Sequence, residues 1–361
     1  MTKQQQRSSY GESQKSKPEP RWIIEGTGDP AIDVPTIQAA VTHAAEDQRT
    51  IYLKGEFSFG PNDSVTIGNW ARIHGIDEYG NMATIHGGKF TLEVKASRAD
   101  QASRSPVSIY GVRFVRPRRV AIRIWGADGL SITGCKFEGV QAIALPEDPL
   151  VFGAGILIAG KAAASKGFRI AGKVSIVDNE IDAGGGNTHE RTNCIVAEVY
   201  GKHITDGIII AGNRFRNFTA HGVDVREVIG KATIERNVID TSVTGETSQH
   251  KGTEGILCLG AGVYLVRQNI INVAVAPLSE MPAGIRLKRH HELQTAITGA
   301  TVIENNITVA EGGVGVELRG LCNQNSVSEN TIVGEGRCAL NLISDSESSP
   351  DSNTLALNHH S

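Results

Sequence analysis

Charged and titratable residues recur on and beside short apolar strands in the middle of the chain, in a pattern that could act on an acidic sugar. A lyase or an epimerase removes a weakly acidic proton next to a carboxylate. It therefore needs a base, and positive charge that stabilises the enolate-like intermediate. The catalytic candidates are Asp224, Arg286, Lys288 and His221. The candidate substrate-binding residues are Glu198, Arg226, Glu317 and Arg319.

The residue types assign a role to each candidate. Arg286 and Lys288 can bind a sugar carboxylate or supply the base, and His221 is a second candidate base. Glu198 and Asp224 can serve as acid and base groups or as metal ligands. The sequence predicts no cofactor, with calcium as an open alternative, because calcium prefers more oxygen ligands than the two converging acids provide.

The same charges also fit a purely structural arrangement. Glu198 is expected beside Arg226, and Lys288 beside Glu317, on neighbouring strands. Opposite charges at neighbouring positions form ordinary ion-pair ladders on an exposed sheet. Both interpretations require the same strand alignment.

Eight apolar strands with alternating side chains present these residues. They lie at 121–125, 155–159, 194–198, 222–226, 255–259, 284–288, 313–317 and 339–343. Every second residue is apolar and is predicted to point inward, so the residues between them form two outward columns. The first column is predicted to contain Arg123, Leu157, Val196, Asp224, Leu257, Arg286, Gly315 and Asn341. The second is predicted to contain Trp125, Ala159, Glu198, Arg226, Leu259, Lys288, Glu317 and Ile343.

A repeated sequence motif explains why such strands would stack. Each copy is an apolar strand, a turn, an asparagine, any residue and a large apolar residue, and the copies are at least 23 residues apart. Such spacing, with period-2 alternation, predicts a parallel β-solenoid whose turns share one core. The asparagines should form an inward ladder of side-chain amides. They are Asn179, Asn213, Asn237, Asn269, Asn305, Asn330 and Asn358, with Cys135, Val112 and Gly88 predicted at the same place in earlier coils.

Composition limits the class of protein. The net charge is −3 and the pI is about 6.4, so the whole chain has no basic excess for nucleic acid or an anionic membrane. Residues 1–20 are predicted to be a disordered polar leader, and 21–361 one domain with a cap at 21–50. Because no secretory signal is present, a cytoplasmic location is expected, or an extracellular one if the signal is missing from this sequence.

The first part of the chain resembles a known family. Residues 36–41 (TIQAAV) and 50–55 (TIYLKG) are similar to the N-terminal signature of the pectate-lyase-like superfamily, and the repeats resemble its parallel β-helix repeats. The resemblance implies an all-β, right-handed parallel β-helix of about ten coils with an N-terminal capping helix. For many members it also implies action on acidic polysaccharides.

Two functions follow as expectations. The first is polysaccharide lyase or epimerase chemistry on an acidic glycan, with a polysaccharide or oligosaccharide as partner and no nucleic acid or membrane. The alternative is a non-catalytic β-helix that binds glycan or serves as an assembly scaffold. The last coil is predicted to expose Leu340, Leu342 and Leu355, which favours a homo-oligomer formed through the C-terminal end.

Overall fold

The computed structural model describes most of the chain from Trp22 to His360. The described residues are 22–47, 49–68, 70–95, 106–145, 148–159, 170–184, 191–198, 206–228, 230–241, 254–273, 282–290, 295–309, 312–320, 322–334, 338–343, 352–356 and 358–360. The leader predicted at 1–20 lies outside them. No helix among the described residues is long and apolar enough to cross a membrane.

The described strands form three faces of a coil, and each face is a stack of parallel strands. The first face contains Trp22–Glu25, Thr50–Lys54, Arg72–His74, Val107–Tyr110, the second half of Val120–Thr133, Ile170–Val177, Ile208–Ala211, Lys231–Glu235, Val263–Arg267, Thr301–Ile303, Ser326–Ser328 and Thr354–Ala356. The second face is an 11-stranded sheet within the described residues. It contains Glu56–Phe59, Ala83–Gly87, Val112–Val115, Lys136–Glu138, Glu180–Asp182, Arg214–Arg216, Val238–Thr241, Ile270–Val273, Asn306–Val309, Thr331–Val333 and His359–His360.

The third face carries the candidate residues. It contains Val65–Ile67, Phe90–Lys95, the first half of Val120–Thr133, Asp148–Ala159, Arg191–Glu198, His221–Arg226, Glu254–Leu259, Ala283–Lys288, Val314–Arg319 and Cys338–Ile343. Ile143–Leu145 pairs with this face in the antiparallel sense, and Ile297–Thr298 pairs with Cys322–Asn323 apart from the three faces. The parallel β-helix prediction is confirmed.

One continuous apolar core runs through the described coils. It is built from the inward residues of all three faces and extends from Ile24 to Ile332. Cys135, Cys194, Cys258 and Cys322 are free thiols buried in or beside it, and burial raises the pKa of the Cys135 thiol to about 12. These cysteines therefore act as small core residues.

The asparagine ladder is present as predicted. Asn179, Asn213, Asn237, Asn269, Asn305, Asn330 and Asn358 are linked in this order, each donating from its side chain to the next amide oxygen. Cys135 takes the same place one coil earlier, where its backbone N–H donates to Asn179. The prediction for Gly88 is wrong, because the strand partner of Val112 is Ala83.

From Asn179 to Asn330, the left-handed backbone of this corner falls on the residue before the ladder asparagine. It is Asp178, Gly212, Arg236, Gln268, Glu304 or Glu329, with φ between 54° and 65°. The ladder asparagines thus do not need the left-handed conformation themselves. A shorter second ladder joins Asn325 to Asn353.

The capping helix spans Pro30–Asp47, with Pro35 inside it. Ile37, Val41 and Ala44 are buried, as their spacing predicts. Upstream of these residues, the buried carboxylate of Asp33 accepts hydrogen bonds from the backbone of Thr27, Gly28 and Ser58. The helix is thereby fastened to the second face and covers the apolar end of the first coils.

Candidate functional site

A column of glycines runs through the strands that carry the candidate residues of the third face. Gly222, Gly255, Gly284 and Gly315 lie at one level of four successive strands. A Cβ at Gly255 would lie 2.6 Å from Ile271 Cγ2 and 2.7 Å from the carbonyl oxygen of Gly284, so Gly255 leaves no room for a side chain. The absent side chains would point at core residues such as Ile271, and the candidate residues lie before and after the glycines.

His221 and Asp224 lie on either side of Gly222, the first glycine of the column. His221 precedes Gly222 and pairs in register with Glu254, while Asp224 follows two residues later and pairs with Leu257. The Nε2 atom of His221 lies 3.8 Å from Asp224 Oδ2, and its Nδ1 atom lies 2.8 Å from Glu254 Oε2. His221 thus contacts two carboxylates through its two ring nitrogens.

Arg286 continues this group across the next coils. Its NH1 group contacts Glu254 Oε1. Its Nε donates to Glu317 Oε1 at 2.9 Å and its NH2 to Glu317 Oε2 at 3.3 Å. Asp224 is held separately by Arg226, whose Nε donates to Oδ1 at 2.8 Å. We call His221, Asp224, Glu254, Arg286 and Glu317 the acid–base group.

The acid–base group is buried, with exposures between 1% and 6%. Glu317, which was expected in an exposed ion-pair ladder, is among these buried residues, so its charge lacks the screening that water gives to surface pairs. Within the group, Arg286 and the neighbouring Arg226 can offset two of the three carboxylates. The imidazole of His221 lies between the carboxylates of Asp224 and Glu254.

One strand lies two residues away from its predicted register. Glu317 pairs with Arg286 and Arg319 pairs with Lys288, whereas the sequence alignment placed Gly315 beside Arg286 and Glu317 beside Lys288. Glu317 therefore belongs to the first column, and the predicted Lys288–Glu317 pair is wrong. The structure keeps Gly315 in the glycine column, where its carbonyl oxygen would lie 2.8 Å from a Cβ at Gly284.

The second column carries mainly positive charge. Its order is Glu198, Arg226, Leu259, Lys288 and Arg319, in register on five successive strands. The predicted neighbours Glu198 and Arg226 are thus confirmed as strand partners. Arg226, Lys288 and Arg319 are half-buried, so each presents part of its side chain to solvent beside the acid–base group. We call these three residues the cation column.

Sequence reasoning missed two polar residues of this face. Glu254, which the sequence analysis did not select, is 3% exposed and contacts both His221 and Arg286. Asn193 is the in-register neighbour of His221, and its buried Oδ1 accepts no hydrogen bond from the part of the chain that the structure describes. The sequence position of each residue could have identified it, because each lies immediately before the strand position at which the glycines occur.

The described residues do not favour a metal centre. Among them, no group of three or more His, Cys, Asp or Glu side chains is arranged to hold a metal ion. In the acid–base group, the carboxylates Glu254 and Glu317 bind the same guanidinium.

Comparison with known proteins relates the chain to solved structures. No protein-family model matches it, and no curated protein matches it. A tailspike protein mutant of the E. coli bacteriophage HK620, in complex with a pentasaccharide, matches with a TM-score of 0.53 and 11% identity over 92% of this chain and 63% of that chain. This chain shares the tailspike's β-helix fold.

Further matches have similarly low identity. A double mutant of the same tailspike, also with pentasaccharide, has a TM-score of 0.54, with 12% identity over 92% of this chain and 63% of that chain. The surface adhesin PfbA of Streptococcus pneumoniae has a TM-score of 0.45, with 13% identity over 93% of this chain and 90% of that chain. The chain spans less than two thirds of the tailspike's length.

Proposed function

We propose that this β-helix binds an acidic polysaccharide or oligosaccharide along its third face. The observation that carries the proposal is the cation column. Lys288 and Arg319 are in-register neighbours on adjacent strands, so one sugar carboxylate could contact both side chains. Arg226 lies two strands away along the helix axis, the direction in which a linear glycan would present successive carboxylates, and its guanidinium binds Asp224. The glycan-bound tailspike supports a carbohydrate ligand for this fold.

The acid–base group would then supply lyase or epimerase chemistry. His221, oriented by Glu254 through Nδ1, would take the proton next to the sugar carboxylate, and the cation column would stabilise the negative charge that forms there. Expulsion of the neighbouring glycosidic oxygen, with a proton delivered to it, completes an elimination. Return of a proton to the other face completes an epimerisation. Both outcomes share the first proton transfer.

One observation favours a second candidate, a non-catalytic glycan-binding or scaffold protein. The members of the acid–base group are nearly inaccessible and contact one another, with Arg286 held between Glu254 and Glu317. In that case the group would stiffen the coils under the cation column. The pectate-lyase-like signature fits either candidate, because its two segments form the helix and the strand Thr50–Lys54 of the cap. We propose membership of that superfamily on this ground.

Binding is tested first, by calorimetric titration with polygalacturonate, alginate and other uronate polymers at several salt concentrations. We expect binding that weakens as salt rises. The double variant Lys288→Ala/Arg319→Ala should bind at least tenfold more weakly. Arg214→Ala, an exposed cation on the second face, is the matched control and should bind like the parent protein. Equal losses in both variants, or no binding to any uronate polymer, would overturn the proposal.

Catalysis is tested by incubating each bound polymer in deuterated water. Proton removal at the carbon next to the carboxylate leaves deuterium there after epimerisation, or an unsaturated product after elimination, so one experiment covers both reactions. We expect one of these products from the parent protein and none from His221→Gln. Binding without deuterium incorporation or unsaturation would instead select the non-catalytic candidate.

A further inference from the structure

A groove opens on the first face close to the helix-capped end, on a different face of the coil from the cation column. Its volume is about 330 Å³. One wall is formed by Ile23 and Tyr52, which are in-register neighbours on adjacent strands. The opposite wall is the turn at 76–79, which contributes Ile76, Glu78 and Tyr79. Aromatic and aliphatic surface thus faces the groove from both sides.

The turn that carries Tyr79 is fixed by its own hydrogen bonds. The Asp77 carboxylate accepts bonds from the backbone N–H groups of Tyr79 and Asn81, at 2.9 and 2.8 Å, and from Asn81 Nδ2 at 2.9 Å. The bond from the Asn81 side chain is the main cause of a lowered pKa of Asp77. Tyr79 itself is 83% exposed. An ordered backbone therefore holds a large ring out into water.

A row of aromatic rings continues from the groove along the helix axis. Tyr52, His74 and Tyr110 are in-register neighbours on three strands, with ring centroids 5.3 and 5.4 Å apart. Partial burial, helped by the charge of Arg72, lowers the pKa of His74 and so favours its neutral form. The row presents one ring for each coil.

We infer that this groove and its aromatic row bind a neutral oligosaccharide. A sugar ring has an apolar C–H face that packs against an aromatic ring, and hydroxyl groups that hydrogen-bond to carboxylates and tyrosine hydroxyls. A regular row with one ring per coil suits a polymer of similar units laid along the axis. The tyrosines supply both kinds of surface.

The charges near the groove oppose an acidic glycan. Glu25, Asp77 and Glu78 lie at or beside it, and Lys54, which also lines it, is already 3.4 Å from Glu25. A uronate carboxylate would be repelled here, whereas it is attracted by the cation column. The two surfaces should consequently prefer different sugars. Because the groove shares no residue with the third face, this inference does not depend on the proposed function.

The test is saturation-transfer NMR on the whole chain with a panel of neutral tetrasaccharides made of glucose, galactose, mannose or N-acetylglucosamine. We expect saturation transfer to at least one of them. Tyr79→Ala should weaken that interaction at least tenfold, and Tyr79→Phe should retain most of it because the ring remains. Ile270→Ala is the matched control, since it removes an exposed apolar side chain from the second face.

Several results would overturn the inference. They are the absence of saturation transfer to every neutral tetrasaccharide, an equal loss in Tyr79→Ala and Ile270→Ala, and an unchanged signal in Tyr79→Ala. Binding of tetramethylammonium with the same Tyr79 dependence, without sugar binding, would identify a site for organic cations instead. The Lys288→Ala/Arg319→Ala variant should keep its neutral-sugar signal, so failure at one surface is distinguishable from failure at the other.

Discussion

Replacing Asn237 with leucine should destabilise the coil stack, because this side chain is fully buried and makes four hydrogen bonds. Its Oδ1 accepts from the backbone N–H and the side-chain Nδ2 of Asn213, both at 3.0 Å. Its Nδ2 donates to the carbonyl oxygen of Ile210 and to Asn269 Oδ1, both at 3.0 Å. Leucine has a similar size and can make none of these bonds.

The expected loss follows from the four bonds. At a net ~0.5–1.5 kcal/mol each, they sum to ~2–6 kcal/mol in the free energy of unfolding. Two of the partners keep another bond, since Asn213 Nδ2 still donates to the Ile176 carbonyl and Asn269 Oδ1 still accepts from the Asn237 backbone. We therefore expect a loss of ~3–4 kcal/mol.

The assay is guanidinium chloride unfolding followed by circular dichroism, combined with amide hydrogen exchange. A solenoid is stabilised by nearest-neighbour coils, so faster exchange should be concentrated in the coils next to Asn237 rather than in the capping helix. Asn306→Leu is the control, because Asn306 is exposed on the second face and the same change there should cost less than ~0.5 kcal/mol. A loss below ~1 kcal/mol at Asn237, or equal losses at the two sites, would refute the account of the ladder.

Three further predictions concern other parts of the molecule. Gly255→Ala should cost ~2–3 kcal/mol in the same unfolding assay because its Cβ would overlap Ile271 and Gly284, whereas Gly68→Ala, which meets no atom within 4 Å, should be neutral. Glu138 has a lowered pKa, chiefly through its hydrogen bond to Arg113, so the pair stabilises the fold above the ordinary carboxyl pKa of 4.5 and less as pH falls through the lowered value. Because both side chains are substantially exposed, Glu138→Gln should lower the free energy of unfolding by less than ~1 kcal/mol above that pH and leave the stability in acid unchanged. A stability loss that grows towards low pH would contradict the expected pH dependence. Leu342 and Leu355 are 47% and 39% exposed, so light scattering should detect self-association that Leu342→Gln/Leu355→Gln reduces, and a strict monomer at high concentration would contradict it.

Much of the fold could be predicted because the signals are local and repeated. The spacing of the asparagines placed Asn179, Asn213 and Asn237 at one corner, and the structure joins them by hydrogen bonds. The period of the helix placed Ile37 and Val41 on its buried face. In each case the residue type, its period and its neighbours in sequence are sufficient to predict where the residue lies. The reason is that every coil needs the same corner residue and every helical turn the same buried face.

The alignment of Asp224 with Arg286 could be predicted for a similar reason. Each follows two residues after a glycine, and the structure places both in the first column. The same rule applied to Gly315 would have placed Glu317 in that column. The stretch at 313–316 alternates glycine and valine, however, and a slip of two residues leaves the inward and outward pattern unchanged. Both registers place a glycine, Gly313 or Gly315, beside Gly284, so that level does not decide between them. The folded structure has the register that places Glu317 against Arg286.

The sequence by itself thus determined the coil, its corners, its cap and the face on which the charged residues lie. Tertiary structure alone decided which charges meet and how far they are from water. Alternation shows that Asp224 points away from the core, but not that this outer surface is buried in the folded chain. It also cannot show that Glu254 contacts His221, because that contact joins residues of separate coils that become neighbours only when the strands pair in register. The pairing of charges is a property of stacked coils, and a single coil does not contain it.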